Sequence, residues 1–578
     1  MRKLEMLGGA GLCTVLTLLA ACVYVGDATP TAVGDSDRAA TTFAVVETSF
    51  TELQAAMNDG QITARSLVKE YLARIERYDD KLHATITINP EALKDADRLD
   101  RERAEGRVRG PLHGLPIALK DNIHTTAMPT TGGSLAFADY TPPYDATLVK
   151  RLKDAGAIIL AKTTLTELAN WMATDMPNGY NALRGHSLNP YDPRMDPRTC
   201  CNDGRGVLDG GGSSSGIGTA ANLWAANVGT ETSGSLQIPA NNTMLAAIKP
   251  TVGRVSRWGI IPITADQDTA GPMAKYVADA AALLMAMEGV DLEDDATGVC
   301  RPLYLSDPDE LFRNDGLAGA RIGIPRPFYY EPVIPPGEEE PRGGLAPAEA
   351  AAMRNAIAVL EAQGAIIVDP APIPSTVNED PQNNQLLFGN CYDLPQGKGG
   401  DANCSIVMKY GMKRDFNRWL ASLANTAPVA SLTELREFNL AQRAQGAMRY
   451  GQAQLDISDE MDVEADRARW EADRRKDLRL SREEGIDAAL ENHDLDALLM
   501  PAWSGENIIN KAGYPAVSVP FSSVPNAKDP LLPEDFDARP MPFGVTFAGT
   551  ACSEPRLVAL AYAFEQATRA RRPPEFFP

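Results

Sequence analysis

Histidines and closely spaced cysteine pairs are scarce in this chain of 578 residues. It contains five histidines, none in an H-x-x-x-H arrangement, and eight cysteines, none in a C-x-x-C pair. Because zinc sites are commonly built on such spacings, the sequence argues against a structural zinc or a metalloprotease centre. Basic residues are also in deficit, with 55 Lys and Arg against 77 Asp and Glu and a net charge of −22. A surface this acidic repels phosphate backbones, so we expect no nucleic-acid partner.

The N-terminal segment lacks the length of a membrane-spanning helix. A basic start, Met1-Arg2-Lys3, precedes an apolar, small-residue stretch from Met6 to Ala21. This stretch is shorter than the roughly 20 residues that span a bilayer, and its small-residue end is typical of a signal peptide. Leu19-Ala20-Ala21-Cys22 also resembles the lipobox of bacterial lipoproteins. That resemblance implies that Cys22 is acylated and becomes the mature N-terminus.

The N-terminal pattern predicts three segments. We expect a signal peptide over residues 1–21, a lipidated N-terminus and flexible tether over residues 22–45, and a folded domain over residues 46–578. Cys22 is followed by Val23 and Tyr24 and not by Asp. By resemblance to known lipoproteins, this favours anchoring to the outer membrane, on its periplasmic face, if the source is a Gram-negative bacterium. An ordinary signal peptide, giving a soluble periplasmic or secreted protein, and an uncleaved anchor are the alternatives.

The cysteines that follow Cys22 are candidates for disulfides, because an exported protein enters an oxidising compartment. Cys391 and Cys404 flank a glycine-rich loop and form the first predicted pair. A bond from Cys200 or Cys201 to Cys300 is the second candidate. Free buried thiols are the alternative to both.

Short apolar strands alternate with helical patterns along the chain, which predicts an α/β fold. Helices are predicted over Phe50–Ile75, with a break near Gly60, and over Leu165–Trp171, while Gly114–Lys120 reads as a buried strand that ends in a polar turn. Neither an internal repeat nor a change of composition divides the sequence after residue 46. We therefore expect one large domain.

Two clusters of small residues and one lysine are the candidate functional elements. Residues 210–216 and 229–235 are rich in Gly and Ser and read as loops, in which backbone N–H groups can closely approach a ligand. Lys120 ends an apolar strand, where burial would lower its pKa from about 10.4 towards the 7 to 8 that suits a base at neutral pH. The alternatives are ordinary turns and a lysine that reaches solvent to pair with Asp121.

Taken together, these motifs resemble the amidase signature family, and the bacterial peptide amidases in particular. The motifs are Gly114-Leu-Pro-Ile-Ala-Leu-Lys120, Gly211-Gly-Ser213-Ser-Ser-Gly216 and Gly229-Thr-Glu-Thr-Ser-Gly-Ser235, with further matches over residues 249–257, 267–272, 513–520 and 542–547. The resemblance implies a single α/β domain with a mixed twisted sheet flanked by helices, and a signature core over residues 110–290.

The resemblance also implies a Ser-Ser-Lys triad. Lys120 falls on the family's lysine, Ser213 on its bridging serine, which takes part in a cis peptide, and Ser235 on its nucleophile. The chemistry is hydrolysis of a carboxylic or peptide amide through an acyl-enzyme, and it requires no metal or cofactor. The implied oxyanion hole consists of backbone N–H groups from Thr232, Ser233, Gly234 and Ser235.

Four features depart from the family pattern. Ser233 stands where Gly or Asp is usual, and Gln237 stands where many members have Arg. Ser213 and Ser235 are about two residues closer in sequence than is common, so either the helix between them is shortened or Ser214 serves in place of Ser213. Residues 196–210 resemble an insertion that shapes or covers the site.

Two other functions remain open on the sequence. Gly212-Ser-Ser214-Ser-Gly216 also matches the G-x-S-x-G nucleophile elbow of α/β-hydrolase esterases, with His493 as the base, although no apolar strand precedes it. The second is a non-catalytic, amidase-like component of a tRNA-dependent amidotransferase, which the export signal and the acidic surface disfavour.

Overall fold

A mixed sheet of eleven strands runs through the part of the chain that the computed structural model describes, namely residues 43–210, 216–424, 426–527 and 530–578. Cys22, Ser213 and Ser214 lie outside the described residues. In chain order the strands are β1 (Thr85–Ile88), β2 (Pro116–Lys120), β3 (Ile158–Thr163), β4 (Tyr180–Asn181), β5 (Gly185–His186), β6 (Ala226–Glu231), β7 (Ala246–Lys249), β8 (Thr269–Ala274), β9 (Arg321–Gly323), β10 (Ile366–Val368), β11 (Ala497–Pro501), β12 (Ala516–Val524) and β13 (Met541–Ala548). Their order in the sheet is β1-β3-β2-β6-β8-β7-β12-β13-β11-β9-β10, and β4 and β5 form a separate ribbon.

Helices flank this sheet. The longer ones are Phe50–Asn58, Ala64–Leu82, Ala92–Ala104, Thr147–Asp154, Val277–Met287, Pro347–Ala362, Val407–Ser422, Leu432–Ala441, Arg467–Leu478 and Glu554–Thr568. Shorter ones are Gly216–Ala220, Gln237–Asn242, Pro308–Leu311, Ala453–Asp459, Asp487–His493 and Glu506–Ala512. A mixed sheet between helices confirms the predicted α/β class. Across the described residues, we find no helix with both the length and the apolar character needed to cross a membrane.

The strands β3, β2 and β6 form one parallel part of the sheet, and β11, β9 and β10 form the other. Ile117 of β2 lies opposite Ile159 of β3 on one side and Ala226 of β6 on the other. Every residue of β2, β3 and β6 is buried. Parallel strands need cover on both faces, which explains why these segments read as continuous apolar or small-residue runs rather than alternating ones.

Two local predictions were wrong. The segment Leu165–Trp171 does not form a regular helix, because Leu168, Ala169 and Asn170 have φ angles of 48°, 56° and 71°. The second small-residue cluster is only partly a loop, since residues 229–231 belong to β6 and pair with β8. Pairing with β8 holds this glycine-containing segment extended despite its low strand propensity.

Two disulfides join described residues. The predicted Cys391–Cys404 bond is confirmed, whereas Cys300 bonds to Cys552. The predicted bond from Cys200 or Cys201 to Cys300 was therefore wrong, and both of those cysteines have free thiols. Cys300 and Cys552 are 252 residues apart in sequence, a separation at which spacing alone carries no information about which loops meet.

Candidate active site

Lys120 is the last residue of β2 and is fully buried. Its Nζ lies 2.8 Å from Thr230 Oγ1 and 3.2 Å from the main-chain oxygen of Thr230, on the adjacent strand β6. Burial lowers the pKa of Lys120 to about 7, and the carboxylates of Asp268 and Glu231 oppose this shift. An amine with this pKa is substantially neutral near pH 7, so it can accept a proton.

The turn that carries Ser235 begins where β6 ends. Because β2 and β6 are parallel, their carboxyl ends reach the same edge of the sheet. Lys120 at one strand end and the turn Thr232–Ser235 after the other therefore belong to a single site. This edge is where ligands bind in open α/β sheets, outside the carboxyl ends of neighbouring strands.

Glu231 fixes the far side of this turn. Its Oε2 accepts hydrogen bonds from the backbone N–H groups of Leu236 and Gln237, at 2.6 and 2.9 Å. Its Oε1 accepts from the side-chain amides of Gln237 and Asn510, at 2.6 and 2.8 Å. Gln237, at a position where many family members have Arg, thus satisfies a buried carboxylate with a neutral donor.

Asp268 and Gln267 fix the near side of the turn. The Thr232 hydroxyl donates to Asp268 Oδ1, and Gln267 Nε2 donates to the main-chain oxygen of Thr232 at 3.0 Å. The second oxygen of Asp268 accepts from the N–H groups of Ile263 and Thr264. Burial raises the pKa of Asp268 to about 7. The turn is thus held at both ends by carboxyl groups.

Gly234 gives the turn its shape. Its φ is +85°, a left-handed conformation that side chains disfavour, and a Cβ there would lie 2.6 Å from Ile238 Cδ1. The conformation lets consecutive backbone N–H groups face one point, as a site for a developing oxyanion requires.

A cavity of about 350 Å³ opens beside Ser235. Ser233, Ser235 and Glu506 line it at the end of the turn. Its other walls include Asn170, Trp171, Tyr392, Met408 and Gln454. A second cavity, lined by Thr230, Asn122 and Trp258, shares Thr232, Ala169 and Ile263 with the first. The two cavities therefore share a wall at the start of the turn.

The left-handed segment Leu168–Asn170 forms part of the cavity wall. Ala169 lines both cavities, and Asn170 lines the one beside Ser235. Three consecutive non-glycine residues with positive φ cost about 1 kcal/mol each or more, and such strain commonly occurs at functional sites. The apolar spacing of this segment predicts a helix, but the left-handed conformations of these residues prevent a regular helix from forming.

The structure brings together part of the predicted site. Lys120 and the turn Thr232–Ser235 share one edge, while Ser213 lies outside the described residues. Ser214 also lies outside them, and His493, its proposed partner, ends a helix and lines neither cavity. Sequence reasoning missed Glu231, Asp268 and Glu506. Glu231 and Asp268 lie within two of the motifs that resemble the family, whereas no motif around Glu506 points to the site.

A family model described as amidase matches residues 66–389. A protein described as a probable amidase from Arabidopsis thaliana is 30% identical over 543 residues, covering 93% of each chain. One component of a glutamyl-tRNA(Gln) amidotransferase from Chloroflexus aurantiacus is 38% identical, but the match covers only 56% of this chain and 60% of that one.

Solved structures give the same picture over most of the chain. The peptide amidase from Stenotrophomonas maltophilia is 37% identical, with a TM-score of 0.75 and coverage of 92% of this chain and 99% of that one. An amidase family protein from Bacillus anthracis is 30% identical, with a TM-score of 0.75 and coverage of 92% and 93%.

Proposed function

This chain belongs to the amidase signature family and is an amide-hydrolysing enzyme, and we propose that it cleaves a carboxylic or peptide amide through an acyl-enzyme on Ser235. The observation that carries the proposal is a fully buried lysine, Lys120, with a pKa near 7, at the sheet edge where β6 turns into Ser235. A neutral lysine is the base that a Ser-Ser-Lys triad needs.

In this mechanism protons move through Ser213. Neutral Lys120 takes a proton from Ser213, which takes one from Ser235 as its oxygen attacks the amide carbonyl. Ser213 then passes a proton to the departing nitrogen and regains one from Lys120, and ammonia or an amine leaves. Water attacks the ester on Ser235 by the reverse proton path and releases the acid.

The oxyanion is held by backbone N–H groups of the turn Thr232–Ser235. Donors aimed at the developing negative charge contribute most when they are fixed before the reaction. Hydrogen bonds from Thr232 to Asp268 and from Leu236, the residue after the turn, to Glu231 support this role, because they leave little freedom for the peptide planes between them.

Gly234→Ala should lower kcat/KM for an amide about 10²- to 10³-fold, the effect of losing one oxyanion donor. The methyl group meets Ile238, and the positive φ is unfavourable for alanine, so the backbone must rotate. Strain of this kind should also lower the free energy of unfolding by about 1 to 2 kcal/mol. Steady-state kinetics and thermal unfolding measure the two effects.

Gly446→Ala is the matched control. Gly446 has a φ of +97°, and a Cβ there would have no neighbour within 4 Å. Gly446→Ala should lower the free energy of unfolding by an amount similar to Gly234→Ala and leave kcat/KM unchanged. Equal activities of the two variants would contradict an oxyanion role for the turn.

Release of ammonia or amine by the purified protein tests the function itself. The substrates are a peptide C-terminal amide, a short aliphatic amide and an aromatic amide, and the peptide amide comes first because of the similarity to peptide amidase. We expect equal amounts of acid and ammonia from at least one of them. Failure to hydrolyse any of the three would contradict the proposal.

We also propose that the enzyme is anchored as a lipoprotein through Cys22, on the basis of the lipobox resemblance. Wild-type protein made in a Gram-negative host should fractionate with membranes and incorporate labelled palmitate. Cys22→Ser should abolish both signals and leave amide turnover unchanged. Labelling that persists in Cys22→Ser would contradict this assignment.

A further inference from the structure

Glu506 brings a carboxyl group to the cavity beside Ser235. It begins the helix Glu506–Ala512, and its Oε2 accepts a hydrogen bond from the Ser233 hydroxyl at 2.8 Å. Its Cγ lies 3.5 Å from the position that a Cβ on Gly234 would occupy. Glu506 thus packs directly against the turn that carries the nucleophile, although 273 residues separate it from Ser233.

The described lining of the cavity contains no positive charge to match this carboxyl group. Among its described lining residues, Glu506 is the only acid, and none is Lys, Arg or His. The ammonium group of Lys511, on the same helix, donates to Asp477 and to the main-chain oxygen of Phe388. An anion in this space would meet an unshielded carboxylate, while a cation would find a partner.

Two aromatic rings add to the attraction for a cation. Trp171 and Tyr392 both line the cavity, and their ring centroids are 5.5 Å apart. The faces of such rings attract ammonium groups, more strongly when water is excluded. A carboxylate together with aromatic walls is a common way to bind an ammonium group.

We propose that Glu506 is a specificity-determining residue that selects amide substrates whose side chain next to the scissile amide bears an ammonium group and rejects those whose side chain bears a carboxylate. This inference rests on the proposed amide hydrolysis. It accounts for Ser233, which stands where Gly or Asp is usual in the family: its hydroxyl orients the Glu506 carboxyl group, whereas an Asp there would repel it.

The selection should strengthen as the pH rises. Burial raises the pKa of Glu506 to about 7, the charge of Glu231 acts in the same direction, and Lys511 opposes both. Tyr392 and Tyr329 also face this carboxyl group, but both pKa values are raised, so both stay neutral over the working range. Glu506 is thus protonated below pH 7 and charged above it, where it attracts an ammonium group.

The test uses three N-acetylated amides of similar size: the amides of lysine, norleucine and glutamate, the last cleavable at its C-terminal amide. For the wild-type enzyme at pH 8, we expect kcat/KM to fall in the order lysine, norleucine, glutamate. Glu506→Gln keeps an oxygen that can accept from Ser233 but removes the charge. It should lower the ratio of the lysine to the glutamate substrate by at least about tenfold, with a larger loss on the lysine substrate than on the norleucine substrate.

Two further variants separate charge from positioning. Ser233→Ala removes the hydrogen bond but keeps the carboxylate, so the lysine-to-glutamate ratio should persist whatever happens to the overall rate. Glu437→Gln removes an exposed carboxylate that lines neither cavity and should leave the ratio unchanged. An equal loss on all three substrates in Glu506→Gln would overturn the proposal in favour of a purely positioning role.

Binding to an inactive enzyme makes the test independent of turnover. Calorimetry with the three amides and Ser235→Ala should show tighter binding of the lysine amide, and the preference should vanish in the Ser235→Ala, Glu506→Gln double variant. Lack of any preference in Ser235→Ala would overturn the inference. Unchanged turnover in Ser235→Ala would instead contradict the proposed function.

Discussion

Replacing Lys120 with methionine should lower kcat/KM for amide hydrolysis by at least about 10⁴-fold, the scale seen when one member of a catalytic triad is removed. Methionine occupies a similar volume but has no basic lone pair that can take the proton leaving Ser235 through Ser213. Its thioether also needs no desolvation of a charge, which offsets the lost hydrogen bond to Thr230. The unfolding temperature should therefore stay close to that of the wild type. Ammonia release and calorimetric melting measure the two quantities.

Lys249→Met provides the control for loss of a buried lysine. Lys249 is fully buried in β7, donates to the main-chain oxygen of Tyr514 at 2.6 Å, and lines neither cavity. Its replacement should leave kcat/KM within a few-fold of wild type. Wild-type activity in Lys120→Met at neutral pH would refute the assignment of Lys120 as the base.

The second large effect is on pH dependence. The base acts only when unprotonated, so kcat/KM should fall about tenfold for each pH unit below 7 and level off above it. The midpoint follows from the pKa of Lys120, which burial lowers to about 7. A neutral substrate such as N-acetylnorleucine amide should be used, because the charge of Glu506 also changes in this range. A profile that is flat between pH 5 and 8 would contradict a lysine base with this pKa.

Asp268→Asn separates the two groups that titrate together at this site. The Asp268 carboxylate raises the pKa of Lys120, and its own pKa lies near 7. Asparagine can still accept from Thr232 but carries no charge. The midpoint of the pH profile of kcat/KM should move to lower pH in Asp268→Asn, because Lys120 then loses its proton more readily. Loss of the pH dependence between pH 5 and 8 in this variant would show that the carboxyl group, and not Lys120, sets the profile.

Local sequence patterns predicted much of the sheet and its helices. The apolar run before Lys120 forms β2, and the break near Gly60 separates the helices Phe50–Asn58 and Ala64–Leu82. These elements are specified by burial of a continuous apolar stretch or by the spacing of one apolar face. Such information lies within a dozen residues, so a single sequence contains it.

Other features depend on contacts that the sequence does not record. Leu168 and Ala169 have side chains that favour helices, yet both adopt left-handed conformations that local propensity does not predict. Glu506 belongs to no motif, and only the fold brings it to the site, because it lies 273 residues after Ser233 in the sequence. Glu231 and Asp268 lie within motifs that resemble the family. The hydrogen bonds that their carboxyl groups make at the two ends of the turn are seen only in the structure.

The order of strands in the sheet has a consequence for how the chain folds. β9 and β10 join the rest of the sheet only through β11, and β12 and β13 link β11 to β7. Strands made early in synthesis must therefore wait for residues near the C-terminus before one edge of the sheet can pair. Such non-local pairing slows folding, and an unpaired edge invites association with other chains. We therefore expect yield on refolding to depend on protein concentration, and the chain to resist dissection into independently folding halves.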